Sequence, residues 1–207
     1  KKSLWFIAGI LVLDQIFKIW IKLNFALGDE VMLFGSWGRL HFTENYGMAF
    51  GMAFGGEIGK VLLTLFRIGA VSVLIWWMYK LCKHRESKGV ILGLAAIAAG
   101  AAGNIFDSLF YGLIFSESTP MAVASLFPSG GGYAPFFHGK VVDMLYFPII
   151  DTDLPSWFPL NGGERFIFFS PIFNLADASI SAGIIYLLLF KRSFFASKEQ
   201  EQKTDQG

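Results

Sequence analysis

Four apolar runs, at about residues 3–23, 60–81, 89–115 and 170–190, constrain what this chain can fold into. Each approaches the roughly 20 residues a helix needs to cross the hydrocarbon core of a bilayer. In lipid every backbone polar group must be satisfied internally, so such runs become helices. Charge agrees: 16% of the 207 residues are charged, against about 25% in an ordinary soluble domain. Mean hydropathy is +0.53. The expected fold is mainly α: one integral membrane domain over 1–207, built as a four-helix transmembrane bundle. The first run contains Asp14 and Lys18 and lacks a small-residue cleavage site, so it reads as a retained span rather than a signal peptide. The third is rich in Gly and Ala, which lets helix backbones approach closely.

Lys and Arg in the flanks set the orientation. Lys1 and Lys2 precede the first run, Lys80, Lys83, Arg85 and Lys88 fill the loop between the second and third, and Lys191, Arg192 and Lys198 follow the fourth. These belong on the cytoplasmic side, with both termini. Segments of about 24–59 and 116–168 then face outward. Within the first, Val31–Phe34 and Gly38–Thr43 have strand character across a Gly35-Ser36 turn signal, so a small antiparallel sheet on the outer face is expected. Segment 116–168 contains Gly130-Gly131-Gly132, prolines and aromatics, and reads as a long flexible loop. The charged tail after Ser193 reads as disordered.

Several function classes fall away. A net charge of +1 gives no electrostatic footprint for nucleic acid. Cys82 stands alone, so neither a disulfide nor a cysteine metal cluster can form within the chain. His41 and His138 lack the close His/carboxylate spacing of a metal site, and no Gly-x-Ser-x-Gly elbow is present.

What remains is a set of polar residues where hydrocarbon is expected. A carboxylate in the bilayer costs at least about 2.5 kcal/mol on insertion scales, which makes it a functional candidate. Asp14 and Lys18 are four apart in the first run and can pair on one helix face, as a structural ion pair or as part of a substrate site. Arg67 lies in the second run, free to snorkel along its aliphatic stem or to meet a carbonyl or carboxylate at a site. Asn104 and Asp107 share a face in the third run, and Asn174 and Asp177 repeat that spacing in the fourth. At 1.5 Å per residue, Asp177 would lie roughly 10 Å inside the outer end of its span. Asp143, in the apolar stretch Val141–Ile150, would be unremarkable alone, and Asn45-Tyr46-Gly47 reads equally well as a turn.

Together these blocks resemble the bacterial lipoprotein signal peptidases, signal peptidase II. Asp14-Gln15-Ile16-Phe17-Lys18 is similar to the family's D-Q-x-x-K, and Asn45-x-Gly47-x-Ala49-Phe50 to its N-x-G-x-[AS]-F. Gly103-Asn104-Ile105-Phe106-Asp107 is similar to its G-N-x-x-D-R, and Val142-Asp143 and Phe173-Asn174-x-Ala176-Asp177 to its two catalytic blocks. The resemblance covers nearly the whole chain, in order. It implies an aspartic endopeptidase of the bacterial inner (cytoplasmic) membrane, its active site toward the outer face. The implied partners are a prolipoprotein whose cysteine carries diacylglycerol, cut just before that cysteine, and membrane lipids; no cofactor, metal or nucleic acid is implied, and the protein is expected to be a monomer. Asp143 and Asp177 would be the catalytic dyad. Asn45, Gly47, Asn104, Asp107, Asn174 and Ala176 would line or support the pocket, and Asp14 and Lys18 its architecture. The sequence departs from the pattern twice. Ser108 stands where the family has Arg, a loss for which Arg67 could substitute, and the stretch from Asp143 to Asp177 is lengthened by an insertion at about Asp151–Arg165.

A carboxylate pair sharing one proton supplies both halves of acid/base catalysis: the ionised partner activates water and the protonated one polarises the scissile carbonyl. Intramembrane carboxylates also mark proton relays, which leaves a proton-coupled transporter as an alternative, and a lipid-modifying transferase as another. The lack of an inverted repeat argues against the first, and the scarcity of basic residues for head groups against the second.

Overall fold

The computed structural model describes residues 2–35, 37–45, 56–159, 163–168 and 171–194. Gly47, Ala49 and Phe50 of the Asn45 block, and the tail from 195, lie outside these. Among the described residues, three helices are long and apolar enough to cross a membrane: residues Ser3–Asn24 of α1 (Lys2–Asn24), Ile58–Lys83 of α2 (Gly56–Lys83), and Lys88–Ile114, which comprises α3 (Lys88–Phe106), a π-helical turn (Asp107–Tyr111) and the short α4 (Gly112–Ile114). A fourth apolar helix, α5 (Leu175–Phe190), is shorter, at 16 residues.

The chain divides into two compact units. One is helical and comprises residues 1–15, 61–106 and 175–207. Its core joins Met78 and Leu81 of α2, Val90, Leu94, Ala95 and Ala98 of α3 and Leu187 of α5. Close approach is written in the sequence: a Cβ on Gly100 would stand 2.2 Å from the Ala176 carbonyl oxygen, and one on Gly103 2.8 Å from Asp14 Oδ2. Only glycine lets α3 come this near to α5 and α1, as the small-residue content of the third run anticipates. Leu62, Phe66 and Val73 of α2 and Leu188 and Leu189 of α5 are exposed. Contiguous apolar surface on this scale marks helices whose solvent is lipid rather than water.

The other unit comprises residues 16–60 and 107–174. It carries a four-stranded antiparallel sheet in the order β1 (Glu30–Phe34), β2 (Gly38–Asn45), β3 (Val141–Tyr146), β6 (Ile172–Phe173). The expected β1–β2 hairpin is present, pairing Val31 with Leu40 and Met32 with Arg39. Leu40 and Phe42 of β2 and Val142 and Met144 of β3 form a core with Ile21 and Phe25 around the end of α1 and with Tyr111 and Phe115.

Two expectations are corrected here. Segment 116–168 is not one long loop: it holds β3 and a second sheet, the hairpin β4 (Ile150–Asp153) and β5 (Arg165–Phe168). Val141–Tyr146 is a strand because β2 offers it a paired edge, Thr43 opposite Asp143 and Asn45 opposite Val141. The fourth helix also begins later than residue 170. Ile172 and Phe173 pair with Tyr146 and Leu145 as β6, so helical backbone starts only at Leu175. Asp177 therefore lies in the first turn of α5, not two turns inside it.

Candidate active site

The sheet unit assembles a carboxylate site around Asp143. Alternation along β3 would allow this residue either face, but burial runs along almost the whole strand, and Asp143 is 2% exposed. A buried carboxylate needs partners, and it has two amides. Asn174 Nδ2 donates to Asp143 Oδ1 at 2.6 Å, and Asn45 Nδ2 donates to Oδ2. Asn174 also reaches the Val142 carbonyl oxygen at 3.2 Å, bridging the backbone and side chain of the same strand. The two asparagines come from opposite sides of β3: Asn45 ends β2, and Asn174 follows β6. Neutral amides fix both oxygens in place without adding a competing charge.

The helical unit builds a second carboxylate site. Asn104 Nδ2, near the end of α3, donates to Asp177 Oδ1 at 2.7 Å. Asp177 is half-buried in the first turn of α5, at the positive end of the helix dipole. The turn itself is capped from outside. Asp14 Oδ1 accepts a 2.8 Å hydrogen bond from the Ala176 N–H, one of the donors a helix start leaves without an intrahelical partner. Ala176 is fully buried, and its small side chain suits the close passage of Gly100 and Gly103.

Asp14, which caps α5, and Lys18 each have a partner distant in sequence. Lys18 Nζ lies 2.7 Å from Asp107 Oδ2 within the sheet unit, both side chains fully buried. Asn104 orients Asp177, and Asp107 pairs with Lys18. Asp107 opens the π-helical turn, a local widening often found at functional sites. Ser108 is buried in that turn, its carbonyl accepting the Gly139 N–H at 2.9 Å, and Arg67 is half-buried on α2.

Sequence reasoning missed a third polar cluster. Lys22 Nζ pairs with Glu44 and is 2.8 Å from Ser118 Oγ, beneath the rings of Phe115 and Tyr133. Glu44 directly precedes Asn45, so this buried network fixes the end of β2 that presents Asn45 to Asp143. The available signal was Lys22 standing one further helical turn beyond Lys18.

The sequence blocks thus converge on two aspartates, each oriented by asparagine amides, in a chain with membrane-length helices. Residues 6–193 match the family model described as "Signal peptidase (SPase) II". The chain belongs to the signal peptidase II family. It is 50% identical over 181 residues to a lipoprotein signal peptidase of Porphyromonas gingivalis, covering 87% of this chain and 78% of the relative. A lipoprotein signal peptidase of Amoebophilus asiaticus is 39% identical over 199 residues, covering 93% and 80%. Among solved structures, a bacterial membrane enzyme determined by the in meso method at 2.3 Å resolution superposes with a TM-score of 0.57 at 20% identity, covering 91% of this chain and 85% of that one. This last likeness shows the fold alone.

Proposed function

We propose that the chain removes the signal peptide from diacylglyceryl-modified prolipoproteins, cutting before the lipidated cysteine with Asp143 and Asp177 as an acid/base dyad. Family membership supports the reaction. The observation that carries the residue assignment is that each of these aspartates receives a side-chain amide from a motif asparagine: Asn45 and Asn174 for Asp143, Asn104 for Asp177. One ionised carboxylate takes a proton from water as the hydroxyl adds to the scissile carbonyl carbon. The protonated partner donates to the carbonyl oxygen and, on collapse, a proton reaches the leaving nitrogen. The pair shares its protons, so apparent pKa values belong to the dyad.

The other residues divide by role. Asn45, Asn104 and Asn174 orient the dyad, Asp14 caps α5 beside it, and Lys18–Asp107 braces the π-helical turn. Gly47 and Ala176 support the pocket, and Arg67 supplies the donor absent at Ser108. An open apolar groove of about 390 Å³, lined by Leu11, Val12, Gln15, Ala102 and Phe106, offers acyl chains a surface on the helical unit. The chain acts as a monomer with four spans, α5 being the fourth, in the bacterial inner membrane. Both termini are cytoplasmic, and the exposed apolar strand β1 rests on the outer face.

The deciding experiment is cleavage of a lipidated precursor by the purified protein in lipid, with and without a divalent-metal chelator. Release of the signal peptide from the lipidated form, but not from an unlipidated one, in both conditions is expected. Activity lost in chelator and restored by a divalent ion would overturn the dyad mechanism.

A further inference from the structure

The hairpin β4–β5 carries none of the residues assigned to the proposed reaction. Its register pairs Ile150 with Phe168, Asp151 with Ile167, Thr152 with Phe166 and Asp153 with Arg165. Opposed residues share a face, so the ribbon has two unlike sides. One carries Asp151, Asp153, Arg165 and Ile167; the other carries Ile150, Thr152, Phe166 and Phe168. The charged side is already occupied. Arg39 of β2 donates to Asp151 Oδ2 at 2.5 Å, and Arg165 donates to both Asp151 oxygens at 2.6 Å. The opposite side carries no ion pair among the described residues and is the more apolar: Ile150 is 43% exposed, Phe166 41% and Phe168 54%, against one comparable apolar residue, Ile167 at 42%, on the charged side; at the turn Trp157 is 78% exposed.

We propose that this apolar side and the Trp157 turn form a lipid-contacting surface, so that the hairpin lies on the bilayer with its charged side held by Arg39. Three observations favour lipid over another occupant. A two-stranded ribbon is marginal in water on its own, and this one keeps Phe166 and Phe168 on the side away from the Arg39–Asp151 ion pair. The same compact unit includes the end of the membrane-length α1, where Ile16 and Trp20 are exposed while Ile21 and Phe25 face the sheet, so a bilayer surface already adjoins the unit. Trp and neighbouring aromatics are the residues that settle at membrane–water interfaces. A second copy fits poorly, because three half-exposed apolar side chains fall well short of the roughly 800 Å² per partner that a stable interface buries.

The test uses the full chain in nanodiscs, with Cys82→Ser as background and a nitroxide at Phe166→Cys or, on the charged side, at Asp153→Cys. At 166 the label should relax several-fold more with oxygen than with a water-soluble nickel complex, and at 153 the order should reverse. Nickel dominating at 166 would overturn the proposal, as would dipolar broadening between labels at 166 in two copies, which would assign the face to self-association. Should either cysteine variant not fold, Trp157→Phe isolates one fluorescence component. Strong quenching of that component by brominated lipid is expected, and its insensitivity would count equally against lipid contact.

Discussion

The two aspartates are held by different kinds of structure. Asp143 sits mid-strand, 2% exposed, with amides on both oxygens contributed by flanking segments of one sheet. Asp177 sits at the start of a helix, half-buried, oriented by Asn104 from a neighbouring helix, while Asp14 caps the adjacent N–H. A strand fixes a carboxylate through backbone register and cross-strand partners. The helix start holds Asp177 through an amide from a neighbouring helix, at the positive end of the dipole. The first arrangement buries the acid deeply and loads it with neutral donors; the second leaves it half-buried. One dyad built from two such halves would obtain dissimilar environments for chemically identical side chains, which acid/base division of labour requires.

That comparison breaks most sharply if either aspartate is dispensable. Asp143→Asn and Asp177→Asn keep shape and most hydrogen-bonding capacity but remove the titrating group. Each should lower the cleavage rate of a lipidated precursor by roughly 10³-fold or more, since positioned acid/base groups contribute about 10²–10⁴ each and the dyad acts as a unit. Binding of the precursor should persist. Near-wild-type turnover by either variant would mean that the two halves do not form one catalytic pair.

Next in size is the Lys18–Asp107 pair. Both side chains are fully buried, so Lys18→Met leaves a carboxylate uncompensated, at a cost of about 3–5 kcal/mol. The expected readout is a lowered unfolding midpoint in detergent, with partial recovery in the Lys18→Met, Asp107→Leu double variant. If the single variant is as stable as the parent, the pair does not brace the π-helical turn.

The asparagines test the asymmetry directly. A hydrogen bond to a charged group is worth about 1.5–3 kcal/mol, or roughly 10- to 150-fold in rate when it is needed in the transition state. Asn174→Ala strips donors from both Asp143 and the Val142 carbonyl, whereas Asn104→Ala strips one amide donor from Asp177. Asn174→Ala should therefore be the more damaging, measured as kcat/KM on one lipidated substrate. Equal losses would mean that the strand and helix sites depend on their amides alike.

How far these contacts were legible in the sequence follows from what fixes each one. The membrane-length helices and the β1–β2 hairpin were legible because period and composition are local properties. The five motif blocks do not encode long-range partners. Spacing puts Asp14 beside Lys18 and Asn104 beside Asp107, and it gives no sign that Asp14 also reaches the α5 N-terminus and Lys18 also reaches Asp107. Those partners are 162 and 89 positions away, and nothing in an i, i+4 rule encodes them. Asp143 looked like a loop residue because a nearly continuous apolar run lacks the alternation of a half-buried strand. Burial of β3 on both faces removes that signal. The late start of α5 was hidden for the converse reason: Ile172 and Phe173 suit an apolar helix as well as a strand, and only the partner edge of β3 decides.

The smallest expected effect concerns pH and the insertion hairpin. The Arg165 hydrogen bonds, joined by Arg39, hold the Asp151 carboxyl at about 2, below its ordinary 3.8, and the same carboxylate holds the Arg165 guanidinium above its usual value. A carboxyl whose folded value is depressed contributes stability that is fully present above its unfolded value, near pH 4, and lost as pH falls toward 2. Between about pH 5 and 7 the hairpin should therefore be indifferent to pH. From about pH 4 downward, protection of the β4–β5 ladder amides, corrected for intrinsic exchange, should fall, while the β2–β3 ladder, whose register does not depend on Asp151, keeps its protection longer. Asp151→Asn should show the weakened hairpin at every pH and abolish the difference between pH 5 and pH 2.5. Equal protection of β4–β5 in the parent at those two values would mean that the apolar side of the hairpin, not its arginine clamp, holds the ribbon in place.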